Sequence, residues 1–233
     1  MPDRIASKSG PTIGIIMLDT RFPRILGDIG NPATWDFPTL YEIVDGASPE
    51  RVVTRGAPGL LRPFIDAARK LEQQGAQAIV STCGFLTLQQ AALAEAVSVP
   101  VVTSSLFQVP MVARTCGPDG RVGILTIEPK SLTRAHLGAA GVAPDTPIGG
   151  TDPQSHFNRV ILGNLPELDV EQARRDNVDA AKKLVEADSQ IAAIVLECTN
   201  MAPYASDISA AVDRPVWSMN TAVNALAASL PPL

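Results

Sequence analysis

Chemistry can be built on Cys83 and Cys198. Each closes a short apolar run, IVSTCG at 79–84 and IVLECT at 194–199, and each is followed at once by small or polar residues that suit the opening of a helix. A cysteine at such a junction lies beside unpartnered backbone N–H groups and at the positive end of a helix dipole, and both favour the thiolate. From an ordinary value of about 8.5, a modest fall makes the thiol a useful base near neutral pH. Two such groups across a gap can serve as base on one side and acid on the other. The same N–H groups, with Ser81, Thr82, Thr199 and Asn200 alongside, suit a substrate carboxylate. Removing a proton from the carbon next to a carboxylate builds a dianionic, enolate-like state, which needs donors already in place. A lone cysteine after a strand is ordinarily a small buried hydrophobe, so the case rests on two at matching positions. Cys116, in RTCGPDG, has no counterpart and reads as structural.

The elements that must position these cysteines repeat along the chain. Short β-branched runs with little alternation, IGIIML at 13, AQAIVS at 76, VPVVTS at 99, RVGILTI at 121, IAAIVLE at 191 and RPVWSM at 214, suit strands covered on both faces of a parallel sheet. Between them, Leu61, Phe64, Ile65, Ala68 and Leu71 share one helical face that stops at Gly75, and Ala173, Val178, Ala181, Leu184 and Val185 share another. Asn220 is expected to cap a closing helix. The first strand begins 70 residues before Cys83, and its counterpart at Val122 begins 76 before Cys198, so the chain reads as two halves nearly in register. The expectation is an α/β fold of two pseudo-symmetric lobes with parallel sheets and an active-site cleft between them, where ligands of open α/β sheets bind. Residues 1–116 with 215–233 would form one lobe and 117–214 the other. Two stretches rich in Gly and Pro, at 19–48 and 141–169, lack helical period and are expected to overhang the cleft as irregular loops.

Composition narrows the partners. The chain has 233 residues, 45% hydrophobic and 18% charged, with a net charge of −5, which is globular and offers no basic groove for nucleic acid. The apolar run at Ile13–Leu18 is too short for a membrane span or a signal core, so a cytoplasmic protein is expected. Three cysteines without framework spacing read as free thiols. No CxxC or GxGxxG occurs, and His136 and His156 stand far from the cysteines, so neither metal nor organic cofactor is expected.

The TCG and ECTN segments, the openings IGIIMLDT and VGILTIE, and the two-half layout over nearly the whole length resemble the aspartate/glutamate/hydantoin racemase superfamily. The resemblance implies two Rossmann-like lobes, no cofactor, and a cysteine pair that deprotonates and reprotonates opposite faces of an α-carbon. It makes Cys83 and Cys198 the acid/base pair and Thr199 the threonine of the second Cys-Thr motif. It also sets Asp19 and Thr20 where glutamate racemases carry Asp-Ser, with Asp19 orienting Cys83 or a substrate amine; the structural alternative for Asp19 is capping the turn that follows it. Glutamate racemases follow their cysteines with Asn-Thr and Thr-His. Here Gly84-Phe85 and Thr199-Asn200 follow, which points away from glutamate and toward a more apolar pocket.

Further contacts are expected from Thr82, Gly84, Phe85 and Asn200 beside the cysteines, and from Ser104 and Thr126 at strand ends, with helix capping as the alternative for the last two. Arg21 and Arg24 are candidates for the carboxylate, with solvated surface as the alternative. His156 is a candidate relay or a surface residue. Strand alternation predicts that Glu197 points away from the site into a salt bridge, with a role as base the less favoured option. The expected activity is racemisation or epimerisation of a small carboxylate. Maleate-type cis-trans isomerisation and arylmalonate-type decarboxylation are alternatives on the same fold, and a non-catalytic binding protein is the alternative outside it. A homo-oligomer is left open.

Overall fold

The computed structural model describes residues 8–231. Two four-stranded, wholly parallel sheets carry the fold, and their strand orders are the same. The first contains β1 (Ile13–Leu18), β2 (Thr39–Val44), β3 (Ala78–Ser81) and β4 (Val101–Val102) in the order β2-β1-β3-β4; the second contains β5 (Arg121–Thr126), β6 (Ile148–Gly150), β7 (Ile191–Leu196) and β8 (Val216–Trp217) in the order β6-β5-β7-β8. The β-branched runs at 13, 76, 121 and 191 form the central strands β1, β3, β5 and β7, and those at 99 and 214 form the edge strands β4 and β8. Ile13, Ile15, Ile16, Ala78, Ile79, Val80, Ile194, Val195 and Leu196 are all fully buried.

The crossover helices follow the predicted faces. The helix α1 (Leu61–Gln73) buries Phe64, Ala67, Ala68 and Leu71 and ends before Gly75, whose φ of +97° suits glycine. Five helices then follow in order, α2 (Gln90–Ala96), α3 (Val109–Ala113), α4 (Arg134–Ala139), α5 (His156–Leu162) and α6 (Val170–Ala187). The last of these buries Ala173, Asn177, Ala180, Ala181 and Leu184 against the second sheet and is capped by the Asp169 side chain. The remaining two are α7 (Ala205–Val212) and α8 (Met219–Ser229). One apolar core runs through both halves, from Ile16, Phe64 and Leu86 to Ile124, Leu196 and Met201. A second covers the other face of the first sheet, where α8 sets Met219, Val223 and Ala227 on Ile13, Ile15 and Val80.

The structure corrects three readings. The stretches at 19–48 and 141–169 are not wholly irregular, because each supplies an edge strand, β2 and β6, and the second also supplies α5. These two edge strands are half-exposed and set among Gly and Pro: the burial of β2 is intermediate for four of its residues, and β6 is only Ile148–Gly150. Val216 and Trp217 pair with β7, so the second sheet extends past residue 214 and the return to the first lobe begins at α8. That helix is capped by Ser218, whose side chain pairs reciprocally with Thr221, while Asn220 lies in its first turn and donates to the Gly27 carbonyl. No helix among the described residues is long and apolar enough to cross a membrane.

The packing of α8 on the first sheet makes Met219 a sensitive position, since it is fully buried. Met219→Ala is expected to cost about 2–5 kcal/mol, read as a lower urea midpoint at unchanged slope.

Candidate active site

Equivalent hydrogen bonds end β3 and β7. The amide of Thr82 donates to the Ile16 carbonyl at 2.9 Å, and the amide of Glu197 donates to the Leu125 carbonyl at 2.8 Å. Cys83 and Cys198 come next in each half, both extended, and each opens a 3₁₀ turn, Gly84–Gln89 and Thr199–Tyr204. Both cysteines line a single pocket between the halves. The Phe85 and Leu86 amides lie beside the Cys83 thiol and the Asn200 amide beside the Cys198 thiol, as the junction reading requires.

The thiols are nevertheless not acidic in this state. Each cysteine is 6% exposed. Burial, followed by the charge of Glu197, pushes Cys83 up to about 12 and Cys198 well above its ordinary value, and the backbone amides only offset part of this. The expectation of lowered thiol values fails because the loss of water outweighs a few N–H groups of a short 3₁₀ turn.

Glu197 is the residue that sequence reasoning placed wrongly. It lines the pocket and is fully buried, with no salt bridge among the described residues. Alternation breaks down because β7 ends at Leu196, so Glu197 and Cys198 lie in the strand-to-turn junction, where side chains no longer take opposite faces. Its Oε2 accepts from the Thr126 hydroxyl at 2.6 Å, and its Oε1 has no partner. Burial raises the carboxyl to about 7. Gly84 explains the close approach of the two junctions, because a Cβ there would stand 2.4 Å from both the carbonyl oxygen and Oε1 of Glu197.

The loop from Asp19 to Phe37 closes the pocket. Arg24 and Phe22 line it, with the Arg24 guanidinium 4.7 Å over the Phe22 ring and paired to Asp28 at 3.1 Å. Asp28, which no sequence signal marked beyond its place four residues after Arg24, is buried and also accepts from the Asn200 side chain at 2.7 Å. Asn164 bonds to the Arg21 amide and the Asp19 carbonyl. Asn200 and Asn164 thus latch a loop of the first half to the second, and Asn220 ties the same loop to α8. The open space left among these side chains is narrow, about enough for one water.

Of the other expected site residues, Thr20, Thr82, Gly84, Phe85, Arg24, Thr199 and Asn200 line the pocket. Three of them are already engaged. The Thr199 hydroxyl donates to the Thr82 carbonyl, the Thr82 hydroxyl accepts from the Leu18 amide, and the Thr20 hydroxyl accepts from Arg24. Four lie outside the lining. Asp19 is exposed and accepts from the Gly46 amide, 27 residues on, and not from the turn that follows it. Arg21 is exposed. The Ser104 hydroxyl caps its own 3₁₀ turn, and Thr126 stands behind Glu197. His156 accepts from the Asp169 amide away from the pocket, and Cys116 is buried against the Val112 carbonyl.

A family model described as Asp/Glu/Hydantoin racemase matches residues 53–227. Dimethylsulfoniopropionate lyase 3 of Emiliania huxleyi (strain CCMP1516) is 31% identical over 229 residues, covering 94% of this chain and 60% of that protein. Dimethylsulfoniopropionate lyase of Durusdinium sp. clade D is 30% identical over 214 residues, covering 88% of this chain and 70% of that protein. Among solved structures, unliganded arylmalonate decarboxylase superposes with a TM-score of 0.58 at 19% identity over 96% of both chains. Picrophilus torridus aspartate racemase superposes with a TM-score of 0.57 at 12% identity over 91% of this chain and 90% of that one. At these identities the structural likeness speaks for the fold alone, and it matches the two-sheet architecture.

The raised carboxyl gives a pH dependence of known sign. Glu197 binds its proton more tightly folded than unfolded, so its contribution is fully favourable below about 4.5 and is lost as pH rises through about 7. Urea titrations should show the protein losing roughly 3 kcal/mol between pH 5 and 8. Glu197→Gln should flatten that loss, and an unchanged slope of stability against pH in the variant would refute the assignment.

Proposed function

Because the chain belongs to the Asp/Glu/hydantoin racemase family, we propose that it is a cofactor-independent enzyme in which Cys83 and Cys198 handle the proton on the carbon next to a carboxylate, and that it finishes as a lyase by expelling a group from the following carbon. The observation that carries the reading is the pair of thiols at equivalent strand ends in one water-poor pocket. Racemisation and β-elimination share that first proton transfer.

Two observations favour the lyase ending. Relatives at 30–31% identity bear the name dimethylsulfoniopropionate lyase. The chain spans about 60% of the length of the first two of them, so their activity as whole proteins is carried here only as a proposal. Asp19, which the resemblance offered to a substrate amine, is bonded outside the pocket. Much of the lining is instead apolar, with Leu18, Phe22, Val53, Phe85, Ile127 and Ile161.

The step on dimethylsulfoniopropionate balances without a further reactant. A cysteine thiolate takes a proton from the carbon next to the carboxylate, and the C–H electron pair becomes the second bond of a new C=C. The C–S bond breaks with its pair passing to sulfur. The products are the thiol, acrylate and neutral dimethyl sulfide, and the thiol returns its proton to solvent. A neutral leaving group needs no acid, so one thiol suffices as base. The matched burial of the two thiols is what favours racemisation as the second reading, since inversion needs a thiol on each face.

Headspace chromatography should detect dimethyl sulfide, with acrylate in equal amount, when the protein is given dimethylsulfoniopropionate, and chelation should leave the rate unchanged. Of Cys83→Ala and Cys198→Ala, at least one should lower it by about 10²–10⁴-fold. Deuterium exchange into chiral carboxylates without sulfide release, abolished by either substitution, would move racemisation to the front. Neither release nor exchange would favour a binding protein.

A further inference from the structure

We propose that Glu197 selects the charge of the substrate: its free carboxylate oxygen receives a cationic substituent on a carboxylate-bearing ligand, so that the pocket prefers an onium zwitterion to a neutral-headed molecule of the same shape. The proposal rests on the proton-transfer reading of this pocket and names the class of molecule it takes.

The geometry is that of a binding group without its partner. Glu197 is fully buried, lines the pocket, and keeps Oε2 on the Thr126 hydroxyl while Oε1 has no partner. Such an oxygen is costly to bury unless something binds it. Gly84 is what lets Oε1 come so close to the opposite junction, since a Cβ there would stand 2.4 Å from it. The groups facing it supply no counter-charge. Cys83 and Cys198 are protonated thiols, and Arg24, the cationic side chain in the lining, is engaged by Asp28 at 3.1 Å.

The chemistry of the walls then distinguishes between cations. A primary ammonium carries three N–H donors and needs three acceptors, of which the free Glu197 oxygen is one. A methylated sulfonium or quaternary ammonium has no N–H to satisfy, and its methyl groups suit Phe85, Ile127 and Ile161. Binding also acts on the thiols. The Glu197 charge ranks next after burial among the causes that raise both of them, so a cation seated against it lowers the cost of forming the thiolate base.

An isosteric pair of unreactive ligands isolates the charge. Calorimetry at pH 8.5, above the Glu197 value of about 7, should show 3-(trimethylammonio)propanoate binding the protein at least about ten-fold more tightly than 4,4-dimethylpentanoate, which differs only in carbon for nitrogen. Glu197→Gln should erase or reverse the ratio while melting cooperatively. Should that variant not fold, the wild type decides: the ratio should collapse at pH 6.0, where Glu197 is protonated. A neutral ligand binding as well as the cationic one at pH 8.5, an unchanged ratio in Glu197→Gln, or no binding of either ligand at 10-fold above the protein concentration and up to about 10 mM would overturn the proposal. Absent sulfide release with the charge preference intact would count against the lyase reading alone. Sulfide release with no charge preference would count against this one alone.

Discussion

Three acids share one narrow pocket. Cys83, Cys198 and Glu197 are each buried, and the charge on any one raises the cost of ionising the others. Of the three, Glu197, at about 7, is therefore the group that ionises first. The remaining features of the site answer that constraint. Thr126 donates to the carboxylate, backbone amides lie beside each sulfur, and the nearby guanidinium of Arg24 is balanced by Asp28 rather than left to pair with Glu197.

The duplication supplies the frame, and its breaking supplies the chemistry. Thr82 and Glu197 occupy the same place after their strands, as do Gly84 and Thr199. If the halves were true copies, two threonines or two glutamates would meet across the pocket. Instead Thr199 reaches across to the Thr82 carbonyl at 2.6 Å, while Glu197 leans into the space that Gly84 leaves empty. A single acid is thereby set against two thiols. A second carboxylate at that separation would have forced one of the pair to remain protonated.

What could be read from the sequence follows the same physics. Strands buried on both faces announce themselves by unbroken β-branched runs, so β1, β3, β5 and β7 were legible with the two cysteines at their ends. The edge strands divide: β4 and β8 lie within apolar runs that the sequence displays, whereas β2 and β6 are hidden among Pro and Gly. Alternation located Glu197 on the wrong side because the rule holds within a strand and this residue is one position beyond its end. Asp28 left no mark at all, since its importance lies in contacts with Arg24 and Asn200, the latter 172 residues away. The helix-terminus argument about the thiols had the right donors but omitted desolvation, a quantity that a sequence does not carry.

The covering loop sets how strongly these charges are felt. It is tied to the second half by the side chains of Asn164 and Asn200 and to α8 by Asn220, through hydrogen bonds of 2.6–3.2 Å to the loop. Each such bond contributes about 0.5–1.5 kcal/mol net, and the one to the Asp28 carboxylate about 1.5–3 kcal/mol. Behind that cover the pocket is narrow and its acids are buried, so any charge that a ligand brings acts strongly on Glu197 and both sulfurs. A neutral-headed ligand would leave in place the repulsion that raises the thiols. A ligand with a positive group would offset it and so favour the thiolate.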